Sequence, residues 1–105
     1  MVRVKKKPPH AISICHRSVT SGDAIGNDII GSYRVLDRMG FYPTILCQFA
    51  DDNIRSSVRI DCNLDPEHVS RTYELLLYHH SIEWRGGAPI IDAFSGPVVA
   101  FNQTR

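Results

Sequence analysis

Two short stretches hold residue types at spacings that can do chemistry. The first is Gly22-Asp23-Ala24-Ile25-Gly26-Asn27. Two glycines around a helix-capping aspartate make a turn that leads into a helix. At such a start, unpaired amides and the positive end of the helix dipole can receive a phosphate. The glycines at 22, 26 and 31 do not form GxGxxG, and no GKS or GKT follows, so nicotinamide, flavin and P-loop chemistry read poorly. The structural alternative is that Gly22 and Gly26 only shape a turn and Asp23 only caps the helix.

The second stretch is Tyr78-His79-His80-Ser81. An imidazole at a strand end can hydrogen-bond a sugar hydroxyl or move a proton near neutral pH. Consecutive strand residues face opposite ways, so His79 and His80 do not suit one metal ion together. Neither has a cysteine or carboxylate at ligand spacing, and no metal or other cofactor is expected. The alternative is a strand-end histidine satisfied by backbone, with Ser81 as the cap of the next helix. Ser81 also lacks the G-x-S-x-G setting of a serine hydrolase.

These stretches must be held by regular elements, and the hydrophobic pattern supplies them. Ala11–His16 is short, rich in β-branched residues and reads as a strand, followed by a polar loop over Arg17–Asp23. Ile25, Ile29, Tyr33 and Leu36 recur at helical spacing, with Asp23 or Asn27 as cap and Gly40 as terminator. Pro43–Phe49 reads as a second strand and Asp51–Cys62 as loop. Asp65-Pro66-Glu67 opens a helix of one or two turns, with Pro at the first helical position. Tyr73–His79 is read as a strand, Ile82–Phe94 as a helix weakened by Gly86-Gly87 and Pro89, and Val98–Phe101 as the last strand. Apolar strands alternating with helices predict a Rossmann-like, three-layer α/β fold with a short parallel sheet of about four strands. In such a sheet both chemical stretches fall on the rim at the carboxyl ends of the strands.

Composition narrows the classes. With 105 residues the chain amounts to one domain or part of one, and 43% hydrophobic residues suit a globular fold. Residues 1–22 hold five basic residues and no acid, whereas the rest holds seven basic and eleven acidic ones. That is not the footprint of a nucleic-acid binder, and residues 1–10, with Pro8-Pro9, read as a basic, solubilising tail. No apolar run approaches the roughly 20 residues of a membrane span, and Ala11–Cys15 is too short for a signal-peptide core. Cys15, Cys47 and Cys62 form no CxxC pair and suit reduced thiols in a cytoplasmic protein.

The stretch Ser21-Gly22-Asp23-Ala24-Ile25-Gly26-Asn27-Asp28 resembles the GDAIGN loop of some bacterial glycosyltransferases of the family four-like (group 1) kind. Leu76–Ile82 resembles their LIYHxSI segment, and Leu36–Phe41 fits their helix-to-strand passage, so the likeness spans residues 11–99. The resemblance implies a GT-B fold: two Rossmann-like domains facing a cleft, with transfer of a sugar from a nucleotide donor, retained configuration and no essential metal. It implies that Gly22, Asp23, Ala24, Ile25, Gly26 and Asn27 approach the donor diphosphate. It implies that His79, His80 and Ser81 lie on the acceptor side: His79 and Ser81 match the family's His and Ser, and His80 falls on its variable position. No catalytic residue follows from it.

Two departures accompany the likeness. Val99–Arg105 carries no YHN-type motif, and the carboxyl-terminal domain with its paired-glutamate region is absent. The expectation is therefore an incomplete amino-terminal half-domain over residues 11–105, inactive alone. Its partners, a nucleotide-sugar and a sugar acceptor, belong to the full-length context. An exposed apolar edge should promote self-association. The alternative is a small noncatalytic Rossmann-like module that binds a partner protein or a phosphate-containing ligand.

Overall fold

The computed structural model describes residues 10–80 and 84–102. Five strands and four helices alternate along them: β1 (Ala11–Val19), α1 (Ala24–Arg38), β2 (Tyr42–Ala50), α2 (Asp52–Ser57), β3 (Ile60–Asp61), α3 (Pro66–Thr72), β4 (Leu75–His80), α4 (Gly87–Ala93) and β5 (Val98–Asn102). All pairings are parallel, in the order β3-β2-β1-β4-β5. This is the Rossmann-like α/β architecture that the sequence predicts, with five strands rather than four.

Strand alternation divides the core into two layers. Ile14, Ile45 and Cys47 pack with Ile29 and Tyr33 of α1 and Ile54 of α2 on one face. Cys15, Leu46, Leu76 and Tyr78 pack with Val69 of α3 and Ile90 of α4 on the other. Cys15 and Cys47 therefore lie on strands but on opposite faces, and all three thiols are free. Among the described residues no helix is long and apolar enough to cross a membrane.

The best-formed helix is α1. Its predicted stripe is the buried one, and Asp23 is its cap, accepting from the Gly26 amide at 3.2 Å. It ends as the glycine requires: Gly40 sits at φ +93°, its amide donates to Asp37 O, and the Phe41 amide reaches back to Leu36 O. Those two bonds satisfy carbonyls that the helix end would otherwise leave open. In α3, Asp65 caps at the His68 amide and Pro66 opens the first turn, also as the sequence predicts.

Three segments differ from the sequence-based expectation. Asp51–Cys62 is not all loop: it holds α2 and β3. Only Ile54 of α2 is buried, so no apolar period marks it, and β3 is a two-residue edge strand paired through Ile45↔Ile60 and Leu46↔Asp61. The first strand runs on past His16, because Val19 is fully buried and pairs with Ala50. The last helix is Gly87–Ala93 rather than Ile82–Phe94, with Trp84–Gly86 outside it and residues 81–83 beyond the described part. Gly87, its first residue, packs so closely on Tyr78 that a Cβ there would run into the ring and hydroxyl. Pro89 falls in its first turn, where a missing N–H costs nothing.

Edge strand β3 is held by a small polar cluster. Asp61 Oδ2 accepts from the Tyr73 hydroxyl at 2.6 Å and from His68 Nε2 at 2.8 Å, joining β3 to α3.

Candidate functional site

The order β3-β2-β1-β4-β5 reverses between β1 and β4. From β1 the chain leaves to α1 on one face, and from β4 it leaves towards α4 on the other. The carboxyl ends of these two strands diverge into the crevice where such sheets bind ligands.

The first wall is the β1–α1 turn. Gly22 adopts φ +84°, open to glycine and strained for most residues. Gly26 is buried against the turn itself, where a Cβ would stand 2.5 Å from Thr20 O. Asp23 spends its carboxylate on the Gly26 amide, and its carbonyl accepts from the Asn27 amide at 2.8 Å. Helix geometry gives the Ala24 and Ile25 amides no acceptor within α1, so the dipole end is presented there. Ser21 ties the turn to the next element: its amide and hydroxyl both donate to Asp51 Oδ2, each at 2.8 Å. Those bonds and the one from the Ile54 amide hold the Asp51 carboxyl below its ordinary pKa.

The second wall is a histidine pair. His16 Nδ1 donates to the His79 carbonyl at 2.8 Å, and the rings meet edge to face with centroids 6.3 Å apart. Both side chains are more than nine-tenths buried. His79 also stacks on Phe101 of β5 at 5.0 Å. Burial first, then the neighbouring His16, lowers the His79 pKa below 6.5, against a smaller upward pull from Asp28. His79 is accordingly a neutral imidazole at pH 7.

Two recesses open on this part of the molecule. One of about 350 Å³, at the ends of β1 and β2, is lined by His16, Arg17, Ser18, Gln48 and Phe49. Arg17 is the cation of that recess. The other, about 520 Å³, runs from Asn27 and Asp28 along α1 past Ser32 and Val35 to Leu77 of β4. It is an apolar groove, open because no described helix covers the α1-side face of β4 and β5.

The two stretches singled out in the sequence thus meet on one rim. Gly22–Asn27 forms the turn and the first turn of α1, and His79 is the last residue but one of β4. His80 is the last residue of β4, one step along from His79, and Ser81 lies outside the described residues. His16 and Asp51 were not among the candidates. The period of two in Ile12, Ile14 and His16 is the signal that places His16 on the His79 side of the sheet. Locally Asp51 reads only as the cap of α2, and its partner in the turn, Ser21, is 30 residues away. Among the described residues no group of three or more metal-ligating side chains converges. No family model, no curated protein and no solved structure matches this chain.

Proposed function

We propose that this chain is the amino-terminal, acceptor-side domain of a retaining glycosyltransferase that moves a sugar from a nucleotide-sugar donor. One observation carries the reading. The glycine turn that resembles the glycosyltransferase loop opens α1 with the Ala24 and Ile25 amides outward, on the same rim as the neutral, buried His79. On this reading the amides meet the diphosphate as it departs, and His79 meets an acceptor hydroxyl. Retaining transfer needs donor, acceptor and leaving diphosphate held together, since positioning and charge stabilisation supply most of the rate. The proposal assigns one wall of that cleft to these residues, and a second domain holds the nucleoside.

Ala24→Asp is the discriminating variant. An aspartate in the first turn suits the helix dipole, so folding is unharmed, while its charge opposes a diphosphate. Calorimetry with a nucleoside diphosphate should give weak heats for the natural chain and none for the variant. Equal binding by both would remove the diphosphate assignment.

The uncovered face favours a second reading, a noncatalytic module. Val35, Val99 and Phe101 stay between 42% and 48% exposed around the apolar groove, a surface that a partner protein would cover. A module of that kind would bind its partner equally well with Ala24→Asp.

A further inference from the structure

The three thiols differ sharply in setting, and two of them face each other. Leu46 pairs with Asp61 at the β2–β3 edge, so Cys47 and Cys62 stand one residue further along, on the α1/α2 side. Adjacent strands lie about 4.8 Å apart, inside the span of roughly 4.4–6.8 Å between Cα atoms that a disulfide accepts. The thiols are near enough to act on each other: after burial, the neighbouring Cys62 is the next influence that raises the Cys47 pKa. Cys62 is exposed, and Arg55 Nη2 lies 3.3 Å from its sulfur. The guanidinium is fixed there, because its Nε donates to Ala50 O at 3.0 Å. Cys47 is fully buried, and Cys15, also buried, lies on the opposite face of the sheet.

We propose that Cys62 and Cys47 form a peroxide-sensitive dithiol site, with Cys62 the sulfur that reacts first and Cys47 the one that resolves it. Exposed cysteines in electropositive surroundings, next to a resolving thiol, are the ones oxidised selectively. The Cys62 sulfur attacks one oxygen of hydrogen peroxide. The S–O bond forms, the O–O bond breaks and the departing hydroxide takes the Cys62 proton and leaves as water, so sulfur is oxidised by two electrons to the sulfenic acid and peroxide is reduced. Cys47 sulfur then attacks Cys62 sulfur. The S–S bond forms, the S–O bond breaks, and the departing hydroxide takes the Cys47 proton as a second water. Burial raises the Cys47 pKa to about 12, so Cys47 stays a thiol until then and gives up its proton only as the S–S bond forms. A dithiol reductant restores both groups. The product clamps β3 to β2 immediately behind α2, whose cap Asp51 holds Ser21 of the β1–α1 turn.

The test treats the folded 105-residue chain with stoichiometric hydrogen peroxide and follows it by intact mass and peptide mapping. The expected product is a monomer lighter by two hydrogens, with a Cys47–Cys62 cross-link that dithiothreitol reverses. Cys62→Ser should abolish it, and Cys47→Ser should leave a sulfenic acid that dimedone traps at Cys62. Arg55→Gln should slow the first step roughly tenfold, by removing a charge-assisted contact to sulfur. Circular dichroism on each variant separates lost reactivity from lost folding. Over-oxidation of Cys62 with Cys47 untouched, or cross-linking only between two chains, would overturn the proposal.

Discussion

His79 and Gly26 carry the site at the level of single residues, and each has a consequence in solution. Because burial lowers the His79 pKa, the unfolded chain binds its proton more readily than the folded one. Stability linked to it is present above the ordinary value of 6.5 and is lost as pH falls through the lowered one. Urea denaturation at pH 7.5 and 5.5 should show a loss on acidification that His79→Gln reduces. An unchanged pH dependence in the variant would contradict the assignment. Gly26 and Gly31 make a matched pair on one helix. A Cβ at Gly26 meets Thr20 O, whereas one at Gly31 has nothing within 4 Å. Gly26→Ala should cost about 1–3 kcal/mol through overpacking, and Gly31→Ala should add about 1 kcal/mol through helix propensity. Denaturant midpoints read both, and equal effects would mean that the turn does not press on α1.

Among the elements, β3 is the one that local sequence explains least. Only two residues form it, and what holds it is Asp61 taking hydrogen bonds from Tyr73 and His68. Burial alone would raise the Asp61 pKa, but those bonds outweigh it and lower the value below 3.8. The contribution is therefore present above that pH and lost as pH falls through the lowered value. Asp61→Ala removes the acceptor shared by Tyr73 and His68 and should cost about 1–3 kcal/mol near neutrality, read by thermal or urea unfolding. The contrast with α1 explains how much of the fold was legible. In α1 the apolar stripe, the cap and the terminating glycine agree within a single window of sequence. By contrast α2, β3 and the end of β1 are defined by pairing and by bonds to distant residues. The site divides in the same way. Gly22–Asn27 and His79 carry local signatures, while the His16–His79 bond spans 63 residues and is visible only once β1 and β4 lie side by side.

Across the whole molecule, the sheet is covered unevenly. Both layers are filled over β1 and β2, but on the α1 side of β4 and β5 the groove lined by Val35 and Leu77 stays open, and β5 is an edge strand. Unpaired edges beside apolar surface attract a second copy. Sedimentation should show concentration-dependent association that Val35→Glu with Val99→Glu suppresses. A monodisperse monomer at high concentration would contradict it. Whether the β1–β4 rim is one wall of a glycosyltransferase cleft is decided by titrating the ¹⁵N-labelled chain with a nucleoside diphosphate. Saturable shifts are expected at Ala24, Ile25, Gly26 and His79, with an affinity near millimolar, about 4 kcal/mol, and no sugar transfer by the chain alone. Micromolar binding, or shifts that leave this rim untouched, would contradict it.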